Sequence, residues 1–230
     1  MTGTVAESEP AEVRPLGLRE RKRIAAMRRI QSEALDLFDA RGFDGVTVEE
    51  IAEASEVSPS SVYRYFGTKE QLVLWDEWDP QMAPLVRAGT GASPLLALRG
   101  VMLGVVESMS AQDELRIRRR MQLVMATPTV EAASARHAYA VSEELGALLA
   151  ERLGRTSVDL HVQVLAHAVV GALVGALHHW HGTGFREPLR EVLDQCFAVL
   201  EVGFGIDGVR PDGVGGEPAT GPSGSLTGVV

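Results

Sequence analysis

The chain has 230 residues, enough for one or two domains, and its 45% hydrophobic content suffices to bury a core. Its single cysteine, Cys196, excludes an intrachain disulfide and a cysteine-based metal cluster, and reads as a small core residue in an apolar helix. Lys and Arg number 22 against 31 Asp and Glu, a net charge of −9 that by itself argues against a nucleic-acid partner.

Residues 1–15 are polar, hold two prolines and show no period, so a disordered arm is expected there. The N-terminus has no apolar leader, which points to a cytoplasmic protein. A first helix is expected over residues 18–41. Ile24, Met27, Ile30, Ala34, Leu37 and Phe38 form its buried stripe, and Gly42 caps its C-terminus. Its start is basic: Arg14, Arg19, Arg21, Lys22, Arg23, Arg28 and Arg29 face Glu20 alone between residues 14 and 29. A local basic patch on an acidic protein suits DNA contact with little non-specific affinity, although a charge run is more often a solvated helix face.

Residues 47–71, TVEEIAEASEVSPSSVYRYFGTKEQ, read as two short helices, a tight connection and the start of a third. Thr47-x-x-Glu50 has the form of a capping box, with Val46 and Ile51 placed as a hydrophobic staple. Ser58-Pro59 is an N-cap followed by a proline at the first helical position. Thr68-x-x-Gln71 is a second capping box. Only a turn fits around residues 55–57, and a short helix, tight turn and short helix is the arrangement that sets a helix into the major groove. On the second of these helices Val62 and Phe66 fall on one face, with Val57 before them, and should pack inward. Ser60, Ser61, Tyr63 and Arg64 are left outward. These hydroxyl, phenol and guanidinium groups are the ones that contact phosphates and base edges, and the face carries no carboxylate. Lys69 opposes the dipole of the next helix, a conflict that a bound phosphate would remove.

That next helix is expected to run to about residue 86 and to join head to body, kinked or shortened by Pro80 and Pro84. Further helices are expected over residues 93–109, 113–126, 127–154, 156–181 and 188–203. From residue 207 the chain is rich in Gly, Pro, Ser and Thr and reads as a disordered tail. No segment alternates with period two for long enough to be a strand, so the fold class is all-α. The expected division is an arm (1–15), a three-helix DNA-binding head (16–67), a helical effector-binding and dimerisation body (68–206) and a tail (207–230). Residues 158–180 are apolar, but Asp159, His161, Gln163 and His167 interrupt the roughly 20-residue run that a membrane span needs, so no membrane role is expected. Gly171, Ala172 and Gly175 would let another helix approach closely, in the core or at a dimer interface.

His178 and His181 have a spacing that can hold a metal, but no third ligand stands near, and no metal or other cofactor is expected. Arg116, Arg118, Arg119 and Arg120 read as a partly paired surface run. Alternatively one of them, Arg118 for choice, anchors an anionic effector. His137, Tyr139 and Trp180 are candidates to line the same pocket. No phosphate loop, H-E-x-x-H or Gly-x-Ser-x-Gly motif is present, and enzyme activity is not expected.

TVEEIAEASEVSPSSVYRYFGTKEQL resembles the helix-turn-helix signature of the TetR family of bacterial transcriptional regulators. The run from Val62 to Phe66 with Lys69 and Leu72 is its most specific part. The match covers about 50 residues, from Ile24 to Leu72. Two positions depart from it: Glu56 stands where a turn glycine is usual, and Ser60 where glycine is common. The resemblance implies a homodimeric repressor that binds a roughly palindromic duplex operator and is released by a small-molecule effector. It implies that Ser60, Ser61, Tyr63 and Arg64 read bases or nearby phosphates. It further implies that Thr47, Ser58, Tyr65 and Lys69 hold phosphates, and that Arg19, Arg21, Lys22 and Arg23 reach the backbone or minor groove. The last two helices would form the dimer, with Gly171, Ala172, Gly175, Leu193 and Phe197 in the interface. RRRMQLVMATPTVEAASARHAYA is similar to the bodies of an actinobacterial subgroup that includes the mycofactocin-associated regulator, which implies an acyl-CoA or other lipid-like effector. Two other readings stand beside this one. One is an effector-independent DNA-binding protein, which a large apolar cavity would disfavour. The other is a small-molecule-binding helical protein with a vestigial head.

Overall fold

The computed structural model describes residues 17–88 and 93–203, which form ten helices and no strand. The arm and tail expected from the sequence lie outside the described residues. The helices are α1 (Leu18–Arg41), α2 (Val48–Ala54), α3 (Pro59–Phe66), α4 (Lys69–Leu74), α5 (Asp79–Ala88), α6 (Pro94–Ser108), α7 (Ala111–Ala126), α8 (Pro128–Leu153), α9 (Leu160–Gly182) and α10 (Leu189–Val202).

Local chemistry sets most of the boundaries. Gly42, at φ 75°, donates its N–H to the Phe38 carbonyl and ends α1. Ser110 and Asp113 form a capping box at the start of α7, a start signal that sequence reading passed over. Asp159 opens α9 by accepting from the N–H groups of His161 and Val162, so the helix begins later than a cap at Thr156 would set it.

The single helix expected from residue 68 to about 86 is broken. Trp75 leaves the helical region at φ −56°, ψ 131°, and the chain re-enters a helix at Asp79. The reason lies in the partners of the α4 carbonyls. The Gln31 amide, buried on α1, donates to the carbonyls of Leu72 (2.9 Å) and Trp75 (2.8 Å). Arg120 from α7 donates to those of Val73 and Leu74, both at 2.8 Å. Side chains from two other helices thus take the acceptors that a continuing helix would have used. Pro80 falls in the first turn of α5, where its missing N–H costs nothing, and Pro84 lies inside that helix.

The head core consists of Met27, Ile30, Ala34, Leu35 and Phe38 of α1 with Phe43, Val46, Ile51, Val62, Phe66 and Leu72. Each fully buried aliphatic or aromatic side chain contributes roughly 1.5–3 kcal/mol. This core continues without a break into Met121 and Val124 of α7 and Val130 and Ala133 of α8. Head and body are therefore joined through shared packing as well as through α4. A second core unites Val86, Leu98, Leu145, Leu149, Val162, Ala166, Val169 and Phe197 from α5, α6, α8, α9 and α10. A third gathers Trp180 with Leu189, Val192 and Leu193. By length and composition α9 is apolar enough to cross a membrane, but here it packs between α8 and α10.

Candidate nucleic-acid interface and body cavity

The connection between α2 and α3 is closed by two backbone bonds, Val57 N–H to Ala52 O (2.9 Å) and Glu56 N–H to Glu53 O (3.0 Å). This pairing is the Schellman termination, which needs a residue at positive φ. Glu56 takes that position at φ 53°, at a cost of about 1 kcal/mol for a residue with a Cβ. Val57 then packs against the head core beside Val62 and Phe66. Thr47 caps α2 in a complete capping box with Glu50. Arg41 and Thr47 hold the Glu50 carboxyl far below its ordinary value, at about 2.

These constraints fix the outer face of α3. Ser60, Tyr63 and Arg64 are exposed and Ser61 is partly so. Among the described residues Arg64 touches the Ser61 hydroxyl (3.2 Å) and the Tyr65 ring (5.1 Å), and no carboxylate pairs with it. The Ser58 hydroxyl caps α3 through the Ser61 N–H and touches the hydroxyls of Ser60 and Ser61. Such a face offers donors on a capped helix that meet only hydroxyl groups and a ring among the described residues. On α1, Arg19, Arg21 and Lys22 are exposed without an ion-pair partner among the described residues, and Arg23 pairs loosely with Glu20 at 3.4 Å.

Two basic residues are employed differently from expectation. Arg28, counted with the basic patch, stays exposed but pairs with Glu77. Lys69 is committed inward, where its ammonium donates to the carbonyls of Phe43 (2.7 Å) and Val46 (2.9 Å) and lies over the Phe43 ring at 4.1 Å. The loop before α2 therefore takes the charge that had been assigned to a phosphate. Two bonds and a cation–π contact answer the unfavourable dipole position.

The body encloses a cavity of about 490 Å³ among α5 to α10. Its walls are apolar, with Met82, Val86, Leu98, Met102, Val141 and Leu173 among them. The polar side chains reaching it include Asp76, His137 and Glu144. Of the four expected pocket residues only His137 lines it. Its imidazole is held below its ordinary pKa by burial first and by Arg120 second, so it is neutral at pH 7. Trp180 is fully buried in the third core and donates its indole N–H to the Glu187 carbonyl (2.7 Å), which leaves it no ligand-facing group. Arg118 pairs with Glu114 and covers the rings of Trp180 and Phe185. Tyr139 points outward, 63% exposed, against the His167 ring.

Between cavity and head lies a layer of ion pairs. Arg116, itself buried, bonds Glu77 and Asp113, and Glu77 also receives Arg28 of α1. Arg119 pairs with Asp36 and Asp39 of α1. Arg120 pairs with Asp76 (3.0 Å) while holding the end of α4. The arginine run of α7 is thus mostly a head-to-body connector, not a solvated face.

Two of the expected dimer residues prove to be internal. Phe197 is fully buried in the second core, and Leu193 is buried and lines the cavity. The helical period places both on the inner face of α10. Gly171 and Gly175 are exposed, and a Cβ built at either meets nothing within 4 Å. Ala172 is half-buried between them, and Leu160 and Val164 of α9 and Val199 of α10 are exposed. Among the described residues no group of three or more His, Cys, Asp or Glu side chains is placed to hold a metal ion.

Comparison with known proteins places this geometry. Residues 30–74 match the family model described as bacterial regulatory proteins, tetR family. Residues 92–205 match the model of the MftR C-terminal domain. The chain belongs to the TetR family of bacterial transcriptional regulators. It is 28% identical over 193 residues, 81% of this chain and 94% of the other, to a protein of Mycobacterium tuberculosis assigned as the mycofactocin biosynthesis transcriptional regulator MftR. It is 35% identical over 154 residues to the HTH-type transcriptional regulator TcmR of Streptomyces glaucescens, covering 63% of this chain and 66% of TcmR. In fold it is similar to FadR of Thermus thermophilus, a TetR family repressor solved with lauroyl-CoA. The TM-score is 0.51 at 22% identity, with 85% of this chain and 100% of FadR covered. The family consists of DNA-binding transcriptional regulators, typically ligand-responsive repressors, and the relatives found are regulators and not enzymes.

Proposed function

We propose that the protein is a non-catalytic, cytoplasmic homodimeric repressor that binds a near-palindromic operator through two α3 helices and is released by an apolar small molecule in the body. In this reading residues 16–67 act as the DNA-binding head and residues 68–206 as the effector-binding and dimerisation body. The observation that carries it is the outer face of α3, where Ser60, Tyr63 and Arg64 stand exposed, with no carboxylate partner among the described residues, beside a packed inner face. Ser60, Ser61, Tyr63 and Arg64 would meet base edges and adjacent phosphates. Thr47, Ser58 and Tyr65 would meet phosphates, and Arg19, Arg21, Lys22 and Arg23 the neighbouring backbone or minor groove. Lys69 would act by holding the α1–α2 loop in place.

The cavity supports an effector over the effector-independent reading, because small-molecule sites commonly measure roughly 300–1,000 Å³ with apolar walls. Its size and lining suit a lipid-like molecule. The open stripe of Gly171, Ala172 and Gly175 supports α9 as the dimer helix, since small residues allow close backbone approach there. Two heads on one duplex must match half-sites about one helical turn, or a multiple of it, apart. A ligand that tilts α4 changes that spacing and lowers affinity. Selection of bound duplexes from a random library with the full chain tests the proposal. Enrichment of one inverted repeat is the expected result, and recovery of no preferred sequence would overturn it.

A further inference from the structure

The cavity's walls are apolar, but its charge is not balanced. Asp76 and Glu144 bring two carboxylates to it, and both lie within electrostatic reach of His137. Arg120 supplies the neighbouring positive charge and spends it on Asp76 and on the α4 carbonyls. The Glu144 carboxylate has no ion-pair or hydrogen-bond partner among the described residues. His137 and Glu144 lie seven residues apart on α8, two turns along one face, so an elongated molecule in the cavity passes both. His137 adds a neutral ring, which can accept or donate one hydrogen bond but supplies no cation.

We propose that the cavity takes an apolar ligand with a cationic, hydrogen-bond-donating end, and that this end is read by Asp76 and Glu144. The inference rests on the reading of this cavity as the effector site and names the charge of what enters it. A carboxylate or phosphate end would meet two carboxylates, with the Arg120 guanidinium already engaged. An ammonium or amidinium end meets an acceptor without a partner among the described residues at Glu144, and competes with Arg120 for a second at Asp76. Asp76 also gives such a ligand its route to the head. Its Oδ2 binds Arg120 and its Oδ1 accepts the Trp78 N–H (3.0 Å). A donor competing for Asp76 loosens the guanidinium that holds Val73 and Leu74 at the end of α4.

Calorimetric titration of the full chain with dodecylamine, 1-dodecanol and dodecanoate at pH 7, below their micellar concentrations, separates the charge of the end group from its chain. Each carboxylate contributes attraction to one ligand and repulsion to the other, so dodecylamine should bind about ten-fold tighter than dodecanoate, with the alcohol between them. In Glu144→Gln, an exposed and unpaired position whose change leaves the packing alone, the preference for the amine should fall to about two- to three-fold, the share left to Asp76. In Asp76→Asn the amine should lose affinity as well. Binding of dodecanoate as tight as the amine, absence of amine binding, or an undiminished preference in Glu144→Gln would overturn the proposal. Because the titration contains no DNA, its outcome is independent of whether an operator is found.

Discussion

The arginines of α3 and of the start of α1 are chemically the same as those of α7, yet they are employed in opposite ways. Arg64 has a hydroxyl and a ring beside it and no carboxylate among the described residues. Arg19 and Arg21 are exposed and unpaired among the described residues. Arg116, Arg119 and Arg120 are at most 18% exposed at the side chain, and each binds a carboxylate across a helix boundary. The first set has no acid to bind among the described residues. The second set spends its donors on the chain itself. In sequence both are runs of basic residues on helices. What separates them is the helix each one faces, so an arginine run indicates function only where the fold leaves it without an internal acid.

The sharpest way to break this contrast is to remove one arginine from each set. Arg116→Ala leaves the buried Glu77 carboxylate with Arg28 as its remaining arginine. Truncating a buried pair should cost about 3 kcal/mol of folding stability, measured as a lower denaturant midpoint at unchanged slope. Arg64→Ala should leave that midpoint in place, and should cost ~1–3 kcal/mol of operator affinity with relaxed preference at one base pair. If the Arg64 variant is instead the unstable one, the assignment of α3's outer face is wrong.

Lys69 sharpens the comparison, because it belongs to the head yet is spent internally. Lys69→Met removes two charged hydrogen bonds to loop carbonyls and should destabilise the chain by about 1–2 kcal/mol. The salt dependence of DNA binding decides its role. A positioning lysine leaves the slope of log affinity against log salt unchanged, whereas a phosphate contact would lower it by about 0.9.

The smallest effect concerns Glu50, the paired carboxylate of the head. Its folded pKa of about 2 lies below the ordinary 4.5 because Arg41 and Thr47 bond the charged form. A depressed carboxyl pKa contributes stability that is present above the unfolded value and lost as pH falls through the folded one. The chain should therefore lose this contribution between about pH 4.5 and 2. Glu50→Gln should flatten the acid limb of its stability profile by lowering the neutral plateau slightly, since the contribution it removes is present only above that limb.

The head was legible in the sequence because local chemistry specifies it. Thr47, Ser58 and Thr68 cap the helices they were expected to cap, and Val62 and Phe66 turn inward as their spacing required. Glu56 takes the left-handed position that its place in the turn demanded. The body was legible in its helices but not in its site. The break at residues 75–78 comes from Gln31 and Arg120, which lie 44 residues or more from Trp75 in the chain and satisfy the α4 carbonyls only once folded. Trp180 and Phe197 were candidates for a pocket and an interface because large aromatic residues serve either role. Only the packing of α6, α8 and α10 around them makes them core. Asp76 and Glu144, the carboxylates that reach the cavity, carried no sequence signal, since exposed and cavity-lining acids look alike along a helix.

The central claim is that α3 reads a specific duplex. The most direct test is a fluorescence-anisotropy titration of the full chain against the DNA upstream of its own gene, at about 150 mM salt with scrambled duplex as competitor, because affinity depends steeply on salt. The account predicts saturable binding that the competitor does not displace and that Arg64→Ala weakens. Binding no tighter than to the scrambled duplex, repeated with the best sequence from a random-library selection, would contradict it.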